Sequence, residues 1–279
     1  MPTPTSASAE PAVVEDSQAA SVIPIPFERQ LGFFPRQTRV EYPRTKLTAD
    51  ALGEAEVDDG HHYYLKADAN GRPVRASEWI ATHLAERVGI AAPHPMIVQM
   101  RDGRLVFGSR RIAGVADDVT TANYLRSATL SNAGHQMIGL SQVLSKIYAF
   151  DLFIFNDDRH FGNYLSLDDN GIRRFYAFDF SRALFWRWPW VGIPDPGQNT
   201  RLYATHLWPL HGFDTAAAIG ILDRLRVVPT SDIQFVVNAM PPEWLPEALR
   251  EAFLGWWSSN ARADRLNELR EGMTDGTYL

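Results

Sequence analysis

The sequence contains no cysteine. That excludes a disulfide framework, a thiol nucleophile, thiolate zinc sites and cysteine-held iron–sulfur clusters. It is compatible with a cytoplasmic location, which is the expectation for this chain. An excess of positive charge is also missing. The 27 Lys and Arg stand against 33 Asp and Glu, a net charge of -6, which argues against direct nucleic-acid binding. Long hydrophobic runs are missing too. The most apolar stretch near the middle, residues 149–155, is short and carries Asp151. A membrane helix needs ~20 apolar residues, and the chain opens with neither the basic n-region nor the apolar run of a signal peptide. No membrane role is expected. What is present fits a folded protein: hydrophobic residues make up 45% and aromatics 11%, well above the range of disordered chains.

Residues 1–27 are rich in Pro, Ser, Ala and Thr without periodicity and read as a flexible tail. Residues 28–112 carry mostly strand signals. Asp59-Gly60 and Asp102-Gly103 each mark a two-residue hairpin turn. Counting outward from the first places Val57 opposite His62 and Gly53 opposite Lys66. Between the hairpins, Ile80, Leu84 and Val88 recur at helical spacing, with Ser77 as N-cap and Gly89 as terminator. Residues 113–279 are mainly helical. Met137, Leu140, Leu144, Ile147 and Tyr148 define one face of a helix starting near Ser131. Further helices are expected over 213–226, 230–239 and 243–271. The fold class is therefore α+β. A small antiparallel sheet with one helix forms an N-lobe, a mainly helical C-lobe follows, and the default ligand position is the cleft between them.

A third hairpin interrupts the helical half. Its turn is Asn170-Gly171, and counting outward sets Asn163 opposite Phe178, beside Asp179. An amide oxygen and a carboxylate placed together suit a hard divalent cation such as Mg²⁺. Asp158 lies on the loop leading into Asn163, where a carboxylate can accept the proton of an attacking hydroxyl. Phosphoryl transfer needs those parts: metal-binding oxygens beside a positioned base. Taken singly, Asp157, Asp158 and Asp179 would be ordinary loop and strand-end charges. Their conjunction with Asn163 at one hairpin end favours the chemical reading.

These residues carry a family resemblance. Asn156-Asp157-Asp158-Arg159-His160-Phe161-Gly162-Asn163 resembles the N-x-D-x-H-x-x-N catalytic loop of the HipA-like kinases. Asp158-Arg159-His160 with Asn163 is also similar to the loop of phosphatidylinositol kinases, and the same spacing occurs in aminoglycoside phosphotransferases. Phe178-Asp179-Phe180-Ser181 stands where these families carry their metal-binding D-F-G. The strand ending in Lys66 resembles the HipA-like strand that ends in the ATP-binding lysine. Ser77-Glu78 with residues 84–90 resembles the family's following helix, and Val106-Phe107-Gly108-Ser109 its F-G-S strand. The resemblance implies a bilobal protein-kinase-like fold and an ATP- and Mg²⁺-dependent phosphotransferase, most simply a serine/threonine protein kinase. It implies that Lys66 contacts phosphates, Glu78 pairs with Lys66, Asp158 is the catalytic base, and Asn163 and Asp179 bind Mg²⁺. His160 then organises the loop. The acceptor would be a protein, and the family leaves room for an antitoxin-like partner. A small-molecule or lipid kinase and a nucleotide-binding pseudokinase are the alternatives. The segment expected to cover the phosphates, 43–51, is not glycine-rich and offers Arg44, Thr45, Lys46 and Thr48 instead.

Read without the resemblance, Lys66 is a surface lysine, and Glu78 is a first-turn carboxylate favoured by the helix dipole. The aromatic run Phe185-Trp186-Arg187-Trp188-Pro189-Trp190 reads first as packing and second as a docking surface. Phe253, Leu254, Trp256 and Trp257 read as a buried helix face. Arg262, Arg265 and Arg270 read as a solvated one.

Overall fold

The computed structural model describes residues 34–43, 51–127, 139–170 and 172–279. The tail, the 44–50 segment, Ser131 and Met137 lie outside those residues. Five strands come first: β1 (Arg36–Pro43), β2 (Ala51–Val57), β3 (His62–Lys66), β4 (Pro95–Gln99) and β5 (Leu105–Arg110), with helix α1 (Val74–Arg87) between β3 and β4. They pair in the order β1-β2-β3-β5-β4. All ladders are antiparallel except a short parallel one, in which Arg36 and Gln37 meet Val98 and Gln99 and join β1 to β4. The helices α2 (Asp118–Arg126) and α3 (Leu140–Phe153) follow, then a hairpin of β6 (Tyr164–Asp169) and β7 (Ile172–Ala177). The chain ends in α4 (Asn199–His211), α5 (Thr215–Val227), α6 (Thr230–Ala239), α7 (Glu247–Ser258) and α8 (Asn260–Thr274). No helix among the described residues is long and apolar enough to cross a membrane.

The first hairpin differs from the expected register by one residue. His62 pairs with Glu56, Leu65 with Gly53, and Lys66 with Ala51 across an irregularity. The cause is the turn. Val57 and His61 close a three-residue loop in which Gly60 takes φ 78°, the arrangement in which a left-handed glycine follows a type I turn. The second hairpin closes the same way, between Met100 and Arg104 with Gly103 at φ 85°. The third keeps the two-residue turn. Asp169 pairs with Ile172 and Tyr164 with Ala177, and Asn170 takes φ 54°.

Helix α1 also begins earlier than expected. Pro73 is its N-cap, and Ser77 lies inside it, buried, its hydroxyl donating to the Ala183 carbonyl at 3.0 Å. Proline fits a helix start because it has no N–H to leave unpaired. Glu78 therefore sits past the first turn, and the helix dipole does not account for it.

Nearly the whole circumference of α1 is buried, because it packs between the sheet and the C-terminal helices. Ile97 and Phe107 from the outer face of the sheet share one core with α1, α3, α5, α6, α7 and α8. A second, smaller core of Ala55, Val57, Tyr63, Leu65, Met96, Val98 and Val106 fills the inside of the sheet. The indole of Trp79 donates to the Val236 carbonyl of α6 at 2.9 Å, and Arg87 pairs with Asp232 at 2.9 Å. The sequence assigns α1 to the sheet, and Arg75 does donate to the Leu105 carbonyl of β5 at 2.8 Å, but Trp79 and Arg87 tie the helix to α6 on the other side.

Helix α3 runs from Leu140, after Gly139 at φ 77°; its expected start near Ser131 lies outside the described residues. The long helix expected over 243–271 is broken into a 3₁₀ turn at 242–244, α7 and α8, with breaks at Pro246 and Ser259. Helices α2 and α4 have no counterpart in the sequence reading. Arg265 is buried, not solvated. Its guanidinium donates to the Phe153, Leu152 and Gly192 carbonyls at 2.8, 2.6 and 2.6 Å and so satisfies the open C-terminal end of α3. The aromatic run packs as first expected. Phe185 is buried against Phe253 at 5.4 Å, and Trp188, Trp190 and Trp256 meet edge to face at 4.8 to 6.0 Å.

Candidate active site

The third hairpin delivers two of the predicted residues to one corner. Asn163 ends a 3₁₀ turn just before β6, and the Phe178 N–H donates to its carbonyl at 3.3 Å. Asp179 follows Phe178 at φ 62°, a left-handed conformation that Asp tolerates better than most residues. Its carboxylate Oδ1 accepts the Ser181 hydroxyl at 2.6 Å, a local bond of the kind short polar residues use to hold such turns.

Lys66 joins this corner from β3. Its ammonium donates to Glu78 Oε1 and to Asp179 Oδ1, each at 2.6 Å. The three side chains come from a strand, a helix and a hairpin end, and the Lys66 and Glu78 side chains are only 12% and 3% exposed. An exposed lysine would gain little from such pairs, so the surface reading of Lys66 fails. One ammonium shared by two carboxylates splits their acidities. Burial pushes the Glu78 pKa up to about 7, with Lys66 opposing and Asp179 adding to the rise. Burial would raise Asp179 as well, but the Lys66 charge and the bonds from Lys66 and Ser181 outweigh it and hold Asp179 well below the usual carboxylate range.

Asp158 stands on the loop between α3 and β6 with its side chain one-third exposed. Its carbonyl accepts from Asn163 Nδ2 at 2.8 Å. Its carboxylate Oδ1 accepts from Asn199 Nδ2 at 2.5 Å, and Arg182 Nε lies 3.8 Å from Oδ2. His160 caps the 3₁₀ turn by accepting the Gly162 N–H at 3.0 Å through Nδ1. A side chain at Gly162 would come within 2.9 Å of that ring and would have to displace it. A cavity of about 330 Å³ opens beside the loop, lined by Val119 and Arg126 of α2, His160, Phe161 and Tyr203 of α4.

One residue of this site was not picked out from the sequence. Arg159 is buried and donates to both carboxylate oxygens of Asp151 in α3 at 2.7 and 2.9 Å. It also donates to the Asn163 and Phe178 carbonyls at 2.8 and 2.5 Å. One guanidinium thus pins the loop to the helix and to both sides of the hairpin end. Asn156 Nδ2 adds a bond to Asp151 at 2.8 Å. A carboxylate inside the most apolar stretch of the chain was the available signal, since a buried charge demands a partner.

The donor set fits a hard cation. Asp179 is held ionised, and Asn163 has its amide nitrogen committed to the Asp158 carbonyl, so its amide oxygen is the atom that could face a cation. Among the described residues no group of three or more His, Cys, Asp or Glu could hold a metal. Mg²⁺ accepts such sparse protein ligation, because it keeps waters and takes phosphate oxygens.

Comparison with known proteins gives a concordant result. Residues 54–187 match the family described as HipA-like kinase. No curated protein matches the chain. Among solved structures, the Helicobacter pylori proinflammatory kinase CtkA superposes with a TM-score of 0.57 at 13% identity, over 85% of this chain and 96% of that one. HipA from the Shewanella oneidensis MR-1 toxin–antitoxin system, solved with HipB and operator DNA, gives a TM-score of 0.49 at 13% identity, over 83% and 68%. At such identity the CtkA likeness speaks to fold alone. The chain is a kinase of mixed α+β fold, and its HipA-like pattern spans 54–187, the stretch that holds Lys66, Glu78, Asp158, Asn163 and Asp179.

Proposed function

We propose that the protein is an ATP- and Mg²⁺-dependent serine/threonine protein kinase with two lobes, 28–112 and 113–279. The observation that carries this reading is the convergence of Lys66, Glu78 and Asp179 within 2.6 Å contacts, next to a loop that presents Asp158 and Asn163. Lys66 engages the nucleotide phosphates, and Glu78 keeps its ammonium in place. Asn163 and Asp179 hold Mg²⁺, which neutralises phosphate charge when bound. Asp158 takes the proton of the acceptor hydroxyl as that oxygen bonds to the γ-phosphorus and the β–γ bridge breaks, releasing ADP. Arg159 ties the loop to Asp151 and to the Asn163 and Phe178 carbonyls, so the backbone carrying Asp158 and Asn163 is held in place before reaction, and positioning is where most of the catalytic gain in phosphoryl transfer lies. The pairing of Lys66 with Glu78 and Asp179 supports turnover over a pseudokinase, since it is the arrangement that nucleotide phosphates and a metal would use.

The test is incubation with γ-labelled Mg·ATP and a whole-cell lysate, followed by phosphosite mapping against Asp158→Ala. Label on serine or threonine in the wild-type sample alone supports the proposal. Label in lipids or small metabolites moves the assignment to the other kinase classes. Equal labelling by both proteins leaves a pseudokinase.

A further inference from the structure

The first turn of α4 lies beyond the stretch that matches the family, yet it grips the catalytic loop residue by residue. Gln198 Nε2 donates to Asp157 Oδ2 at 3.3 Å. Asn199 Nδ2 donates to Asp158 Oδ1 at 2.5 Å. Thr200, itself buried, donates its hydroxyl to the Asn156 carbonyl at 2.6 Å and accepts the Arg159 N–H at 2.9 Å. Gln198 is fixed in turn, because its Oε1 accepts the Asp195 N–H at 2.7 Å. Three consecutive side chains thus hold four consecutive loop residues, and the middle one reaches the carboxylate that the proposed reaction uses.

Asp158 has little else to orient it. Its side chain is one-third exposed, and Arg182, stacked over the Trp186 ring at 4.1 Å, stands 3.8 Å from Oδ2. That distance is too long for a hydrogen bond. A free aspartate samples several χ1 and χ2 settings, and only some of them aim an oxygen at an incoming hydroxyl. With Oδ1 tied to Asn199, rotation of the carboxylate is restrained, and Oδ2 faces the Arg182 charge at 3.8 Å without a hydrogen bond to it.

We infer that Asn199 is a positioning residue for Asp158: its amide fixes Oδ1 and thereby presents Oδ2 to the acceptor hydroxyl. The inference rests on Asp158 being the base. A structural role for Asn199 and a positioning role predict opposite results for one substitution. As the first residue of α4, position 199 favours an acidic side chain, because the helix dipole welcomes negative charge there. If Asn199 only starts the helix, Asn199→Asp is neutral or stabilising and fully active. If it positions Asp158, Asn199→Asp removes the donor and sets a like charge against the carboxylate.

The experiment compares wild type, Asn199→Ala, Asn199→Asp and Asp158→Ala. Each is measured for the rate of protein labelling in lysate with γ-labelled Mg·ATP, for Mg·ATP affinity by calorimetry, and for thermal melting. Asn199→Ala is expected to slow labelling about ten- to a hundredfold, the scale of a hydrogen bond to a charged group. Asn199→Asp is expected to slow it further while melting close to the wild-type temperature, the dipole gain at the helix start offsetting the repulsion from Asp158. Mg·ATP affinity stays near wild type in both. Wild-type labelling rates in the two Asn199 variants, with Asp158→Ala inactive, overturn the inference and leave the kinase assignment standing. Loss of Mg·ATP affinity parallel to the loss of rate also overturns it. Wild-type labelling by Asp158→Ala removes the proposed kinase reading, with its base assignment, and this inference with it.

Discussion

Lys66 shares one ammonium between two carboxylates, and the unequal outcome for the two acids has consequences that can be measured. Glu78 is held up at about 7 in the folded protein, above the ordinary carboxylate value near 4.3 in an unfolded chain. Between those values the native state binds the extra proton, so stability falls as pH rises through the window and the full loss is in place above about 7. Asp179 has the opposite sign: its stabilising effect is present above the usual carboxylate range and is lost only in stronger acid. Melting temperatures from pH 4.5 to 7.5 should therefore decline for wild type more steeply than for Glu78→Gln, which cannot titrate. Parallel curves would remove the buried carboxylate from this role. Asp179→Asn tests the metal side of the same triad. Its Mg²⁺-dependent increment in nucleotide affinity, read by calorimetry with and without Mg²⁺, should disappear while metal-free binding persists. An unchanged increment would place the ion elsewhere.

Secondary-structure elements differ in how far their residues announced them. The β6–β7 hairpin was legible to the residue, because the Asn170-Gly171 signature fixes a register by counting, the strands pair in that register from Asp169–Ile172 outward, and it carried Asn163 and Asp179 together. Asp59-Gly60 has the same signature, but its glycine closes a three-residue loop, so every pair beyond it shifts by one and Gly53 faces Leu65 instead of Lys66. The choice between those turns depends on which strands the sheet then pairs, and local sequence does not contain that. Lys66 and Glu78 were named only through resemblance, since a strand lysine and a helix glutamate have no local mark of meeting. Asn199 acts across a tertiary contact and was invisible for the same reason, while Arg159 was signalled only indirectly, by Asp151 standing in an apolar stretch. The Asp151–Arg159 pair shows how much such a contact supports. Removing one partner of a buried ion pair strands the other charge, so Asp151→Ala should destabilise the protein by about 3–5 kcal/mol. In urea unfolding this appears as a lower midpoint at unchanged slope. A change under 1 kcal/mol would mean that the loop does not depend on this anchor.

Over the whole molecule, the position of α1 decides how the site is assembled. In sequence order α1 belongs with the strands, yet Ser77 bonds to Ala183, Trp79 to Val236 and Arg87 to Asp232. Trp79 also meets Trp244 edge to face at 6.2 Å. Glu78 is thereby fixed to the helical core, and the sheet brings Lys66 to it. The sheet is the weaker partner, since most side chains of β1 are exposed and the core inside the sheet is the smaller of the two. Native-state hydrogen exchange should therefore show α1 protected with α3 and α6, opening only with global unfolding, while β1 and β2 exchange earlier. Adding Mg·ATP should slow exchange in β2 and β3 and leave α1 unchanged, because the helix is already seated before nucleotide arrives. Trp79→Ala should cost about 3–5 kcal/mol, the usual range for deleting a buried tryptophan side chain. It should also lower Mg·ATP affinity, since the residue next to it in α1 is the glutamate that holds Lys66. If α1 instead exchanged with the fast strands and gained protection on nucleotide binding, the Lys66–Glu78 contact would be a product of ligand binding rather than a feature of the fold.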